Sequence, residues 1–116
     1  MCEYSKKSKY AKTAVVADKY VNAGLPPRSA WEKASCEIFI PNSFSQKKGC
    51  PRNAFLGLYG GTGKNAEYAQ KALKILKSGN TNISESDLWR IVTGNSGKAY
   101  NSQMHVVKAL FDEGVV

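Results

Sequence analysis

Residues 62–80 read TGKNAEYAQKALKILKSGN, and this stretch decides the fold class. Ala66, Ala69, Ala72, Leu73 and Leu76 recur at the spacing that stacks side chains along one face of an α-helix. Lys71 and Lys74 fall opposite that stripe and Lys77 lies on its flank. The helix opens near Thr62 to Asn65, and Ser78-Gly79-Asn80 closes it, glycine being the usual left-handed residue past a helix end.

The same period continues on either side. Toward the C-terminus, Ser84 with Asp87 three residues on predicts a capped start. Leu88, Ile91 and Val92 are then directed inward before Gly94. A last helix is expected from about Ser102 to Glu113, with Met104, Val107, Leu110 and Phe111 inward. Toward the N-terminus, Pro51 reads as the first residue of a helix burying Ala54, Phe55 and Leu58, which ends at Gly60-Gly61. Ahead of it, Asn42 to Gly49 (NSFSQKKG) is predicted as a loop with Phe44 tucked in. Trp31, Ala34, Ser35, Ile38 and Phe39 trace another helical face. Its start is either a capping box at Ser29 and Glu32 or Pro27 as first residue, and Pro41 ends it. Tyr10, Ala14, Ala17 and Val21 predict a first helix from about Ser5 to Ala23, stopped by Gly24 and Leu25-Pro26-Pro27.

Only Glu37 to Pro41 (EIFIP) resembles a strand, and it is short. The expectation is therefore all-α, a single compact bundle of about six short helices spanning residues 1–116. Residues 1–9 read as a frayed helix start or a flexible basic arm.

Bulk composition agrees with one soluble domain: 116 residues, 42% hydrophobic and 22% charged, enough apolar content for one core. No apolar run is long enough to span a bilayer. No apolar segment follows the basic N-terminus, so the expectation is a cytoplasmic protein without a secretory signal. Cys2, Cys36 and Cys50 are odd in number and widely spaced, which suits reduced thiols better than a disulfide framework.

Several chemistries are disfavoured. Gly60-Gly61-Thr62-Gly63-Lys64 looks like the end of a phosphate-binding loop, but Leu58 occupies the first glycine position. Asn65 also stands where a Ser or Thr would ligate magnesium. What survives is a helix start able to hold one backbone phosphate, against the plainer reading of a turn that needs glycine. Cys50 lies at an expected helix N-terminus beside Lys47, Lys48 and Arg52, a setting that favours thiolate. His105 is the one available base, and a small capping or buried cysteine is the plainer reading. The cysteines have no metal-ligand spacing, and the carboxylates sit at capping or surface positions, so no metal, cofactor or catalytic set is expected.

The basic residues carry the functional expectation. Seventeen Lys and Arg against nine Asp and Glu leave a net charge of +8, a balance that favours polyanionic partners through counterion release. Between Lys47 and Lys77 stand seven cations and one anion, Glu67. Lys47, Lys48, Arg52, Lys64, Lys71, Lys74 and Lys77 form the candidate surface, with Tyr59 and Tyr68 interleaved as stacking platforms. The alternative is a solvated lysine face with tyrosines at the core edge. Trp31, Phe55, Trp89 and Phe111 are assigned to the core.

SAWEKA, Ile38-Phe39, KKGCPRNAFLGL, AQKALKIL, LWRIV and the tail KAYNSQMHVVKALFDEGVV together resemble a small bacterial domain family of uncharacterised function, from about residue 13 onward. Residues 48–58 and 98–114 are its most specific parts. The chain departs after the LGL segment, where the family carries a longer insert and this chain a bare GGTGK turn. The resemblance implies no activity and transfers no catalytic residue.

The functional expectation is thus a non-enzymatic protein binding nucleic acid or a nucleoprotein complex, with no membrane partner. A protein-binding module is the alternative, such as a phage or mobile-element inhibitor of a host defence complex meeting an acidic protein surface. Thiol chemistry at Cys50 comes third.

Overall fold

The computed structural model describes residues 8–79, 82–94, 100 and 102–114. The helices run in the order α1 Lys9–Asn22, α2 Pro27–Ile38, α3 Phe44–Lys47, α4 Gly49–Gly57, α5 Lys64–Lys77, α6 Glu85–Val92 and α7 Gln103–Asp112. All but the single turn α3 have eight residues or more, and no strand occurs among the described residues. The expected all-α bundle is what forms. The proposed basic arm at the N-terminus lies outside the described residues up to Lys7.

Capping chemistry sets the first helix. Ser8 Oγ accepts from the Ala11 amide at 3.2 Å, satisfying a donor that the first turn cannot. At the other end Gly24 has φ 111°. The Leu25 amide reaches Tyr20 O at 3.0 Å and the Gly24 amide reaches Val21 O at 3.0 Å. This paired closure needs a left-handed residue, hence glycine. The buried face of α1 carries Ala11, Ala14 and Ala17, all fully buried. Side chains this small let α1 pack on both α2 and α7.

Helix α2 takes the Pro27 start. Pro26 is the cap residue and the Ala30 amide already bonds Pro26 O at 2.8 Å, so Ser29 lies inside the first turn. The capping box at Ser29 and Glu32 does not form. Between Asn42 and Gly49 the chain makes the turn α3 where a loop was expected, capped by Ser43 Oγ on the Gln46 amide at 3.2 Å. Phe44 is 84% exposed, not tucked in. Helix α4 begins at Gly49, two residues before Pro51, which sits buried in its first turn.

Two core clusters share α4 and α7. Ala54, Met104 and Val107 join Tyr68, Ala69, Ala72, Leu76, Leu88, Trp89 and Val92. Phe55, Val106 and Leu110 join Ala14, Ala17, Ala30, Trp31 and Ala34. Helix α7 packs against α1, α4, α5 and α6, so it buries Gln103, Met104, Val106, Val107, Ala109 and Leu110 rather than one narrow stripe. Phe111, expected inward, is half-buried at the edge of the first cluster.

Ile91 also departs from expectation, being 55% exposed. Helical residues advance about 100° each, so Leu88, Trp89 and Val92 share one arc that leaves Ile91 outside. The large ring of Trp89 sets the inward direction of α6.

Candidate functional site

Helix α5 packs its alanine face inward because Gly57 lets α4 come close. A Cβ at Gly57 would lie 2.5 Å from Ala66 Cα and 2.8 Å from Ala66 Cβ, closer than atoms can approach. Gln70 Nε2 donates to Gly57 O at 3.0 Å and Gly61 O at 3.3 Å, tying the turn between the helices to α5. Gly60 and Gly63 have φ of 93° and 108°, and the Gly61 amide is spent on Leu56 O at 2.8 Å. The GGTGK turn therefore uses its glycines to reverse the chain.

That packing leaves a groove of about 610 Å³ between α5 and α6. Lys64, Lys71 and Lys74 line it together with Tyr68, Ile75, Ile91, Val92, Thr93 and Gly94. Its aliphatic component includes the exposed Ile91. Two ion pairs join described residues to one another, Lys33 with Glu37 at 3.8 Å and Arg90 with Asp87. None of the candidate cations is neutralised by either pair.

The seven cations do not form one patch. Lys47 and Arg52 line a second depression of about 270 Å³, with Trp31, Glu32, Cys36, Asn42 and Gln46. Lys48 is the junction between α3 and α4, and Lys77 ends α5 in solvent. Neither lines either depression.

The two tyrosines are engaged in the fold. Tyr68 is only 8% exposed, and its ring meets Trp89 edge-on with centroids 5.1 Å apart. Tyr59 donates its hydroxyl to buried Asp18 and packs its ring 4.8 Å from Phe55. Burial, then the Asp18 hydrogen bond and charge, raise the Tyr59 hydroxyl pKa. Asp18 also accepts from Asn22 Nδ2 at 3.2 Å.

Cys50 is half-buried in the first turn of α4 and Cys36 is exposed. His105 Nδ1 is hydrogen-bonded to the Tyr100 hydroxyl, and the His105 amide donates to the same oxygen at 3.0 Å. Among the described residues no group of three or more His, Cys, Asp or Glu is placed to hold a metal ion. No described helix is long and apolar enough to cross a membrane.

Sequence reasoning missed the aliphatic half of the groove and the polar wall of the second depression. The Ser43-x-x-Gln46 spacing that starts α3 was a readable capping signal. Cys36, Glu32 and Ile75 had none of their own.

A family model describing a family of unknown function, DUF6979, matches residues 7–116. The chain belongs to that family. The match covers nearly the whole of it, including the segments 48–58 and 98–114 that carried the resemblance. Comparison with curated proteins and with solved structures finds no match.

Proposed function

We propose that this DUF6979 chain is a small binding protein, without chemistry of its own, that holds nucleic acid or a nucleoprotein complex through its lysine surface. One observation carries the reading: Lys64, Lys71 and Lys74 line a single groove with no carboxylate among its described lining residues. Unpaired cations on a chain of net charge +8 attract phosphates by releasing their counterions. Tyr68 is buried, so the groove offers lysines and aliphatic carbons rather than an exposed ring. Contacts of that kind position a backbone and read little sequence. A cytoplasmic setting fits such a partner.

The test is fluorescence anisotropy with generic single- and double-stranded DNA and RNA over a salt series. The logarithm of affinity should fall steeply with that of salt, by about 0.9 per phosphate neutralised on duplex DNA. Replacing Lys64, Lys71 and Lys74 together by Gln should flatten that slope by about 2 to 3. Absence of binding at about 50 to 100 mM salt overturns the reading.

The aliphatic lining with exposed Ile91 supports a second reading, a protein-binding module of the inhibitor type. A partner segment presenting acidic residues around an apolar anchor would match both halves of the groove.

A further inference from the structure

The depression between α2, α3 and α4 is built differently. Arg52 lines it, and the Arg52 Nε is shielded from solvent without a hydrogen-bond partner. No hydrogen bond or ion pair holds the Arg52 guanidinium among the described residues, so the donors at its outer end remain available to an acceptor. Lys47 adds a second cation to the same lining, and Glu32 adds an anion. No ion pair joins Glu32 to either cation among the described residues. Opposite charges thus line one small space without a direct ion pair among the described residues.

Gln46 in the same wall is already engaged. Gln46 donates through Nε2 to Ser35 Oγ at 2.8 Å and accepts from the Asn42 amide at 3.1 Å. Its side chain is fixed by those two bonds. Trp31, 1% exposed, supplies an apolar surface. The volume of about 270 Å³ falls just below the range of about 300–1,000 Å³ for drug-sized ligands, which suits a smaller molecule.

We infer that this depression binds a small zwitterion of the amino-acid type, its carboxylate on Arg52 and Lys47 and its ammonium facing Glu32. Guanidinium recognises carboxylate through paired donors. Glu32 disfavours a bare phosphate or a phosphodiester strand by like charge, and favours a ligand that also carries a cation. The site is separate from the α5–α6 groove and does not depend on nucleic-acid binding.

The experiment is a ¹⁵N–¹H correlation titration of the full chain, free of nucleic acid. The probes are a mixture of L-amino acids, acetate, methylamine and inorganic phosphate, each at millimolar concentration. The amino acids should shift the Gln46, Lys47 and Arg52 amides more than any single-charge probe. R52Q should weaken that binding by about tenfold or more, as expected for a lost hydrogen bond to a charged group. E32Q should remove the preference for amino acids over acetate. Acetate or phosphate binding as tightly as amino acids in the unaltered chain overturns the zwitterion assignment, and so does the absence of any shift. If R52Q fails to fold, E32Q and K47Q at exposed positions decide. Amino-acid binding unchanged in both refutes the proposal. Because the titration contains no nucleic acid, its failure leaves the reading of the α5 groove standing.

Discussion

The α5–α6 groove and the α2–α4 depression draw their cations from one 31-residue window, Lys47 to Lys77, yet they are opposite in construction. Among its described lining residues the groove has three lysines, aliphatic side chains and no carboxylate. The depression holds a lysine, an arginine, a glutamate and two amides around a tryptophan. The first offers diffuse positive charge beside apolar surface, which suits a long anionic partner. The second offers separated charges of both signs in less than half the volume. The number of cations in a stretch of sequence therefore says little about what they bind. Helix faces and their neighbours sort the cations into sites.

The comparison can be broken at the contact that positions α4 against α5. Gly57→Ala should cost about 3 kcal/mol, because its Cβ would meet the backbone of Ala66 and force the helices apart. Chemical denaturation measures it, and an unchanged midpoint would show that this approach does not hold the groove's frame. Tyr59→Phe comes next, at about 1–3 kcal/mol, since buried Asp18 loses a hydroxyl donor and keeps Asn22. This variant should leave the lysine-dependent salt slope in place, because Tyr59 lines neither depression.

A pH series sharpens the same point. The folded chain raises the Tyr59 pKa above its ordinary value, so the unfolded chain ionises first. Stability should hold below about pH 10, the unfolded tyrosine value, and decline at higher pH. Thermal unfolding over pH 8–11 should show a shallower alkaline decline in the Tyr59→Phe variant, and an identical profile would count against the burial argument. Ile91→Ser is the smallest change in stability, within about 0.5 kcal/mol, because Ile91 is 55% exposed. Its informative readout is binding. A nucleic-acid partner held by phosphates should be nearly indifferent to it, whereas a protein anchored on the aliphatic side chains should bind more weakly.

Much of the fold was legible because local chemistry and tertiary packing agree. The alanine stripe of α5, the glycine closing α1 and the serine capping α6 act within a turn or two of themselves. Ser29 misled because two start signals overlapped, and Pro27 needs no amide partner at a first helical position. Ile91 misled for a different reason. Periodicity marks a band of apolar residues, but the neighbouring helices choose which edge is covered, and Trp89 drew that edge toward Tyr68. The candidate site was legible in its cations and not in its division. Nothing in the spacing of Arg52 and Lys71 shows that they line different depressions, since that depends on where α2 and α6 come to rest.

Gln70, which clasps the end of α4 and the following turn at once, has a thermodynamic consequence. With the backbone of α4, the turn and α5 tied together, little main-chain order remains to be gained when a partner enters the groove beside Lys71. The entropy lost on association then falls mainly on the lysine stems and on the partner. Calorimetry of such a complex should show a small negative heat-capacity change, set by the aliphatic surface that is covered rather than by coupled folding of this chain.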